Sequence, residues 1–437
     1  MQSPSSEGSA HGASWQWDEG TDGGEASEDV VAGGGERPRP SRRQLLLGAG
    51  VIAAGGAAWG AFGRSGGGTA RPAPGPTSLS GPTPLWTYRG PAAMTPERFA
   101  TGLPSRPLYL SRNGLQVLDH TTGAPGRLLV FDPPSARSLP GGSEALDPVV
   151  LGPEHLFTTY QGHVEARHFT DSAADWSLPL PDELQEQTRL AGFDPHDPGV
   201  LYGCSWGRPK SDGRLPAHYL FALRVTDRTL LWSVRTEEQE LPVTPATRTG
   251  FTHHLACLRV VAGRTELAVR DAATGREVWT APGEEGLRWC VSGYNSFLVP
   301  DGKGGVRELS TAGEPAWSHS PALGESRRAL APIVDGPQLY IPWDEGLITC
   351  HDTSSDAVLW SCRLPFPLDR RNRVLLGDKT LFVPGTADAG VCAVYTSTGE
   401  LGWTFRDSGP ARGAWTVATD GGRLYAGHDD VLHALPL

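Results

Sequence analysis

The sequence predicts an all-β protein: a closed ring of eight four-stranded sheets, with seven as the alternative count. Three observations carry this. Short apolar runs ending on Trp recur at near-regular spacing, a turn former precedes each late one, and the composition disfavours long helices. The chain has 437 residues with 56 Gly and 38 Pro, and only 38% are hydrophobic. Such a mixture favours many short strands joined by turns.

The repeat is read on Trp86, Trp176, Trp232, Trp279, Trp317, Trp360 and Trp403, in "PLWTYRG", "ADWSLPL", "LLWSVRT", "EVWTAPG", "PAWSHSP", "VLWSCRL" and "LGWTFRD". Successive gaps are 90, 56, 47, 38, 43 and 43 residues. The first is two periods, with "GRLLVFDPP" at its midpoint and Phe131 where a Trp is expected. Gly275, Gly313, Asp356 and Gly399 each stand four residues before a Trp. One unit, Leu330 to Leu364, divides into "PIV", "QLYIP", "LITCHD" and "AVLWSCRL", separated by "DG", "DEG" and "TSSD". Strand-forming runs between turn-forming clusters at this spacing are the blades of a β-propeller.

Within a unit, Thr274 and Gly275 are expected to form the hairpin between the third and fourth strands, because Gly accepts a positive φ at little steric cost. Trp279 then falls on the outermost strand, where a large ring fills the wedge between neighbouring blades. The C-terminal "GAWTVATDGGRLYAGHDDVLHALPL" supplies three strands and no Trp. The strand around Trp86 is expected to pair onto them and close the ring, removing exposed edges.

Ahead of the propeller, at 85-437, three segments differ in composition. Residues 1-36 hold eight acids and no Lys or Arg among many Gly and Ser, and read as a disordered acidic tail. Residues 37-62 place Arg37, Arg39, Arg42 and Arg43 before an uncharged run, 45-62. "SRRQLL" resembles the twin-arginine export signature, with Arg42 and Arg43 as the residues read by the translocase. The segment is a signal or, if uncleaved, a single-pass membrane anchor, since 18 helical residues span about 27 Å. The positive flank stays inside, so the remainder faces outward. Residues 63-84, rich in Pro and Gly, read as a linker.

The formal net charge of -11, with no extended basic face, argues against nucleic acid as a partner. "THHLAC" brings His253, His254 and Cys257 together, but on a strand His254 and Cys257 point to opposite faces, and no second pair has metal-site spacing. "DPHDPG", Asp194 to Gly199, is explained by its turn-favouring pairs without Ca²⁺. "PDGKGG" lacks the spacing of a phosphate loop and reads as a hairpin turn. No metal site is expected. Cys350 and Cys362 fall near each other across a hairpin, which leaves open either a disulfide or two buried apolar side chains.

The unit between Trp176 and Trp232 carries a surplus in "SWGRPKSDGRLPAHY". Trp206, Arg208, Lys210 and Arg214 there form a candidate binding loop, an aromatic and cationic surface for a partner carrying acids or sugars. A tolerated insertion is the alternative.

Blades reading "VRDAATGREVW", "ELSTAGEPAW" and "AVYTSTGELGW" resemble the pyrroloquinoline quinone (PQQ) repeat across nearly all of residues 85 to 437. Such blades occur in quinoprotein alcohol dehydrogenases and in the propeller lipoprotein of the outer-membrane barrel assembly machinery. They occur too in extracytoplasmic sensor domains of actinobacterial serine/threonine kinases, whose order of basic motif, apolar segment, tether and propeller is the most similar. Residues 1 to 43 cannot hold a kinase domain. For a quinone enzyme the resemblance implies an adjacent Cys pair, a Ca²⁺ site and a catalytic Asp, and the chain has no Cys-Cys dipeptide. The expectation is a monomeric, non-enzymatic binding or scaffold protein without cofactor, facing a protein or cell-envelope ligand. The alternative is a quinone-dependent dehydrogenase binding PQQ.

Overall fold

The computed structural model describes residues 80–90, 96–100, 107–111, 114–130, 149–185, 187–194, 197–206, 217–243, 253–282, 287, 289–292, 296–320, 326–354, 357–368, 373–409 and 413–437. The acidic tail, Arg42 and Arg43, the apolar run 45–62 and Phe131 lie outside these residues. Among the described residues no helix is long and apolar enough to cross a membrane.

Among the described residues, thirty-two strands form eight four-stranded antiparallel sheets. The first strand, β1 (Trp86–Arg89), belongs to the last sheet. Sheet I holds β2 (Pro96–Ala100), β3 (Leu108–Ser111), β4 (Gly114–Leu118) and β5 (Pro125–Val130). Sheet II holds β6 (Val150–Leu151), β7 (His155–Tyr160), β8 (His163–His168) and β9 (Trp176–Pro179). Sheet III holds β10 (Arg189–Phe193), β11 (Val200–Trp206), β12 (His218–Arg224) and β13 (Thr229–Thr236). Sheet IV holds β14 (Gln239–Val243), β15 (His254–Val261), β16 (Arg264–Asp271) and β17 (Glu277–Ala281). Sheet V holds β18 (Val291–Ser292), β19 (Ser296–Pro300), β20 (Val306–Ser310) and β21 (Pro315–His319). Sheet VI holds β22 (Ile333–Asp335), β23 (Gln338–Trp343), β24 (Leu347–Asp352) and β25 (Ala357–Arg363), the four strands read from the sequence of that unit. Sheet VII holds β26 (Leu375–Gly377), β27 (Thr380–Pro384), β28 (Val391–Tyr395) and β29 (Leu401–Phe405). Sheet VIII holds β30 (Thr416–Thr419), β31 (Arg423–His428), β32 (Val431–Pro436) and, as its fourth strand, β1.

Apolar clusters join these sheets in a cycle. Leu115 and Leu156 pack I on II, Leu190 and Phe221 with Val164 pack II on III, and one cluster through Cys204, Cys257 and Phe297 runs from III through IV to V. Trp343 and Val306 join V to VI, Ile348 and Val383 join VI to VII, and Trp415 and Leu424 with Phe382 join VII to VIII. Trp86, Leu118 and Leu432 complete the circuit from VIII to I. The second strands are therefore covered on both faces: every residue of β11 is buried, whereas β13 at the rim alternates. Closure by the strand around Trp86 is borne out, with Trp86 opposite Ala434 and Arg89 opposite Val431.

The recurring Trp side chains sit on the outermost strands, and four of them bond to a turn of the next sheet. Trp86 Nε1 donates to His120 O at 2.9 Å, Trp232 to Ala272 O at 3.1 Å, Trp279 to Thr311 O at 2.6 Å and Trp360 to Thr396 O at 2.7 Å. The acceptors lie in the turns that carry Gly123, Gly275, Gly313 and Gly399. A Cβ on Gly275 would stand 2.7 Å from the Trp232 ring, and one on Gly399 2.5 Å from the Trp360 ring. Gly275 also has φ +69°, so the motif glycine answers two demands at once: a left-handed backbone and a neighbour's indole lying on its Cα.

Where the pattern breaks, other side chains make the link. Arg228 stands in the glycine's place, four residues before Trp232, with φ +58°; its guanidinium lies 5.2 Å from the centroid of the Trp176 ring. On β5, which has no Trp, Arg127 donates to His168 O and makes two bonds to Asp175, at 3.1 and 2.8 Å. For Trp403 no following turn exists, because the third and fourth strands of the next sheet, β32 and β1, are not consecutive in the chain. Ser80 bridges Thr404 there, and Gly81 N donates to Thr404 O at 2.8 Å, so the end of the segment read as a linker is docked on β29. Inside sheet IV, Arg270 spans the sheet to a buried Glu240 through two 2.7 Å bonds and caps Gly275 O at 2.9 Å. This pairing answers the desolvation of both charges.

Two outcomes are expected. Gly275→Ala lowers stability by about 2 to 4 kcal/mol, the sum of a positive φ and the clash with Trp232. The cost falls by at least about 1 kcal/mol when made in Trp232→Ala, as a double-mutant cycle in urea would read. Gly263→Ala, at φ +79° with nothing within 4 Å, carries the backbone cost alone. Equal costs at both glycines in both backgrounds would refute the contact. The second outcome concerns acid. Burial raises the Asp175 carboxyl, but its bonds to Arg127 and the His168 N–H outweigh this and hold it below the ordinary 3.8. Its stabilisation is thus present above that value and lost as pH falls through the lowered one. Arg127→Ala should cost about 2 kcal/mol at neutral pH, with the gap to the parent closing as pH drops through the acid range.

Candidate functional site

Successive antiparallel strands fix two ends of the ring. Hairpins between first and second strands share one end with those between third and fourth; hairpins between second and third strands share the opposite end with the links from sheet to sheet. The repeat motif belongs to the first end and is consumed by architecture. Asp119 Oδ1 accepts from Thr121 N, Thr122 N and Thr122 Oγ1, and Asp271 Oδ1 from Thr274 N and Oγ1. The hydroxyl bonds of Thr122 and Thr274 hold these carboxyls below their ordinary value. These are turn-building acids.

The link end varies more. The second-to-third hairpins of sheets II, IV and VIII close with two residues, as at Ala262 and Gly263. In sheet III the same hairpin spans 207–217. Its base is a seven-pair ladder ending at Trp206 opposite His218. Here one expectation is corrected. Trp206 presents no aromatic surface; it is 6% exposed and sits under Arg189, whose guanidinium carbon is 5.6 Å from the ring centroid. The reason is its position on a second strand, sandwiched by both neighbours. Arg208, Lys210 and Arg214 lie outside the described residues. Arg327 over Trp343, at 4.8 Å, repeats this ring-on-cation arrangement in sheet VI.

The nucleophile inventory is plain. All six cysteines are free and buried. The expected alternative of a Cys350–Cys362 disulfide is not formed: the register sets Cys350 opposite Trp360 and Cys362 opposite Ile348. Diagonal neighbours of this kind are about 7 to 8 Å apart, beyond disulfide reach. Both pack in the apolar layer between sheets VI and VII. Burial pushes Cys204 and Cys290 up to about 12, and Cys350 and Cys362 up to about 11. These thiols are inert at neutral pH.

Of the metal candidates read from sequence, Cys257 is buried in the III–IV–V layer, while His254 lies at the start of β15 opposite Asp271. Asp194 accepts from Tyr202 Oη at 2.5 Å and from Asp197 N at 3.2 Å, and Asp197 from Gly199 N at 2.9 Å, a turn closed on itself. Sequence reasoning missed a different group. Asp407, His428 and His433 bring one ligand atom each to within 4.8 Å of one another, at the seam of sheets VII and VIII. Their sequence signal is His-x4-His across the "HDDVLH" turn, and Asp407 comes from the preceding link.

The family model that matches residues 216–367 and 302–435, together half of the chain, is described as outer membrane protein assembly factor BamB. The chain belongs to this PQQ-like propeller family. No curated protein sequence matches it. Among solved structures it is similar to BamB from Moraxella catarrhalis, at 17% identity over 67% of this chain and 86% of that one, TM-score 0.47. Sqt1 of Saccharomyces cerevisiae aligns at 12% identity over 82% of this chain and 100% of the other, TM-score 0.55. Quinohemoprotein alcohol dehydrogenase ADHIIG from Pseudomonas putida HK5 aligns at 12% identity over 82% and 77%, TM-score 0.54. At such identities the last two show a shared fold alone. The BamB-like propeller here thus has its repeat residues committed to joints between sheets.

Its thiols give a direct check. With a thiol-reactive chromogen at neutral pH, the native propeller should show no fast-reacting cysteine, and six should react after denaturation. A fast thiol in the folded protein would overturn the burial of that residue.

Proposed function

We propose that this propeller is a non-enzymatic binding or scaffold protein of the cell envelope, exported or tethered through its basic and apolar N-terminal segment. The observation that carries the proposal is the hairpin at the link end of sheet III. A fully buried second strand and a seven-pair ladder make a rigid base for residues 207–217. That stretch, "GRPKSDGRLPA", has three cations and one acid on a chain of net charge -11. Basic residues concentrated on a rigid mount recognise acidic partners and steer their approach. Membership of a family described as an outer membrane assembly factor supports a protein as that partner.

The test is cross-linking in intact cells with the Arg208→Glu, Lys210→Glu, Arg214→Glu triple variant. Capture of an envelope protein by the parent chain should fall at least tenfold in the variant, with melting temperature unchanged. Undiminished capture would remove the loop from recognition. Stoichiometric PQQ binding with dye reduction would assign the quinone-dependent dehydrogenase instead.

A further inference from the structure

Beyond partner binding, we propose that Asp407, His428 and His433 form a metal site for Zn²⁺ at the seam where the ring closes. Asp407 lies two residues past β29, His428 ends β31 and His433 lies on β32. The two imidazoles present the same nitrogen to the same oxygen: His428 Nε2 is 2.9 Å and His433 Nε2 3.4 Å from Asp407 Oδ2. Tetrahedral zinc, with bonds of about 2.0 to 2.2 Å, sets its donor atoms about 3.4 Å apart; the longer Asp407 distance meets this and the shorter falls below it, and the three donors, within 4.8 Å of one another, close onto the ion by a shift of the imidazoles.

The opposite nitrogens are already held. His428 Nδ1 is 3.0 Å from Asp429 Oδ2, and His433 Nδ1 is 3.0 Å from Thr87 Oγ1 on the closing strand. Imidazoles fixed through Nδ1 and aimed through Nε2 are the orientation that metal-binding histidines adopt. An ordinary hydrogen-bonded Asp–His pair accounts for His428, whereas the buried Nε2 of His433 reaches Asp407 only through the longer 3.4 Å contact, outside hydrogen-bonding geometry. A buried polar nitrogen so loosely met is poorly satisfied, and a cation would complete it.

The donor set selects the ion. Two nitrogens and one carboxylate suit zinc and its neighbours; Ca²⁺ and Mg²⁺ require oxygen cages, and Cu(I) prefers sulfur. Trp415 and Phe405 pack on the two imidazoles, at 4.2 Å from His428 and 5.2 Å from His433, and keep the donors dry. The Asp407 side chain retains 16% exposure, which leaves an entry side and room for a water as fourth ligand. Bound there, zinc ties the link after sheet VII to two strands of sheet VIII and, through Thr87, to β1. It acts as a clip on the closure.

The test uses the full chain without an affinity tag, stripped with chelator and titrated with Zn²⁺ and, separately, Co²⁺. One equivalent of either should bind at micromolar concentration or below, Co²⁺ with the visible bands of a four-coordinate site, and Zn²⁺ should raise the melting temperature. Asp407→Asn and His433→Gln should each weaken binding at least tenfold and abolish the bands, and Thr87→Ala should weaken it about tenfold, whereas His254→Gln should change nothing. Should the ligand variants fold poorly, Thr87→Ala and the parent spectrum decide. A folded parent that shows no Co²⁺ bands and takes up no stoichiometric zinc overturns the proposal, as does binding indifferent to all three substitutions.

Discussion

The contact on which the ring depends is an indole laid across a glycine of the next sheet. Trp86, Trp232, Trp279 and Trp360 each spend the ring on a neighbour's turn and the N–H on a carbonyl of that turn, as Trp232 does with Gly275 and Ala272. A sheet wedge widens toward the rim, and only a large flat group can fill it. The glycine must then lack a side chain for steric reasons as well as conformational ones. At these four joints one residue pair sets both the hairpin and the contact between sheets.

Departures from the pair show what the joint requires. Arg228 keeps the left-handed backbone and turns its own guanidinium onto Trp176; Arg127 replaces an indole with a bidentate bond to Asp175. In both cases a guanidinium makes the link between sheets. At the last joint β32 and β1 are not consecutive in the chain and share no turn, and Ser80 and Gly81 cover β29. Closure thus rests on β1 and on the residues just before it.

Because the joint occupies one end and the rim, the link end is free to diverge. The strand ends Trp206 and His218, between which 207–217 run, and the Asp407, His428 and His433 cluster both lie there. Rigid second strands make such additions inexpensive, since the ladder beneath them is unaffected by what the turn contains. Burial of all six cysteines pushes their thiols up, so that at neutral pH they stay protonated.

Much of the fold was legible from the chain alone. Spacing of Trp, the "TG" turns and the three-stranded C-terminus determined the repeat, its strands and the pairing of Trp86 onto the end, because all of these are local patterns plus an arithmetic of missing strands. Tertiary structure decided what the motif glycines face, since a repeat shows a residue's own turn and never the neighbour lying on it. It decided that Trp206 is buried, because the strand's two covered faces come from other sheets. It decided that Cys350 and Cys362 stand diagonally, through a bulge at Cys350 and His351 that shifts register without a sequence mark. It alone assembled Asp407 with His428 and His433, twenty-one and twenty-six residues away, for the reason that the seam between two sheets brings a link and a hairpin to one point.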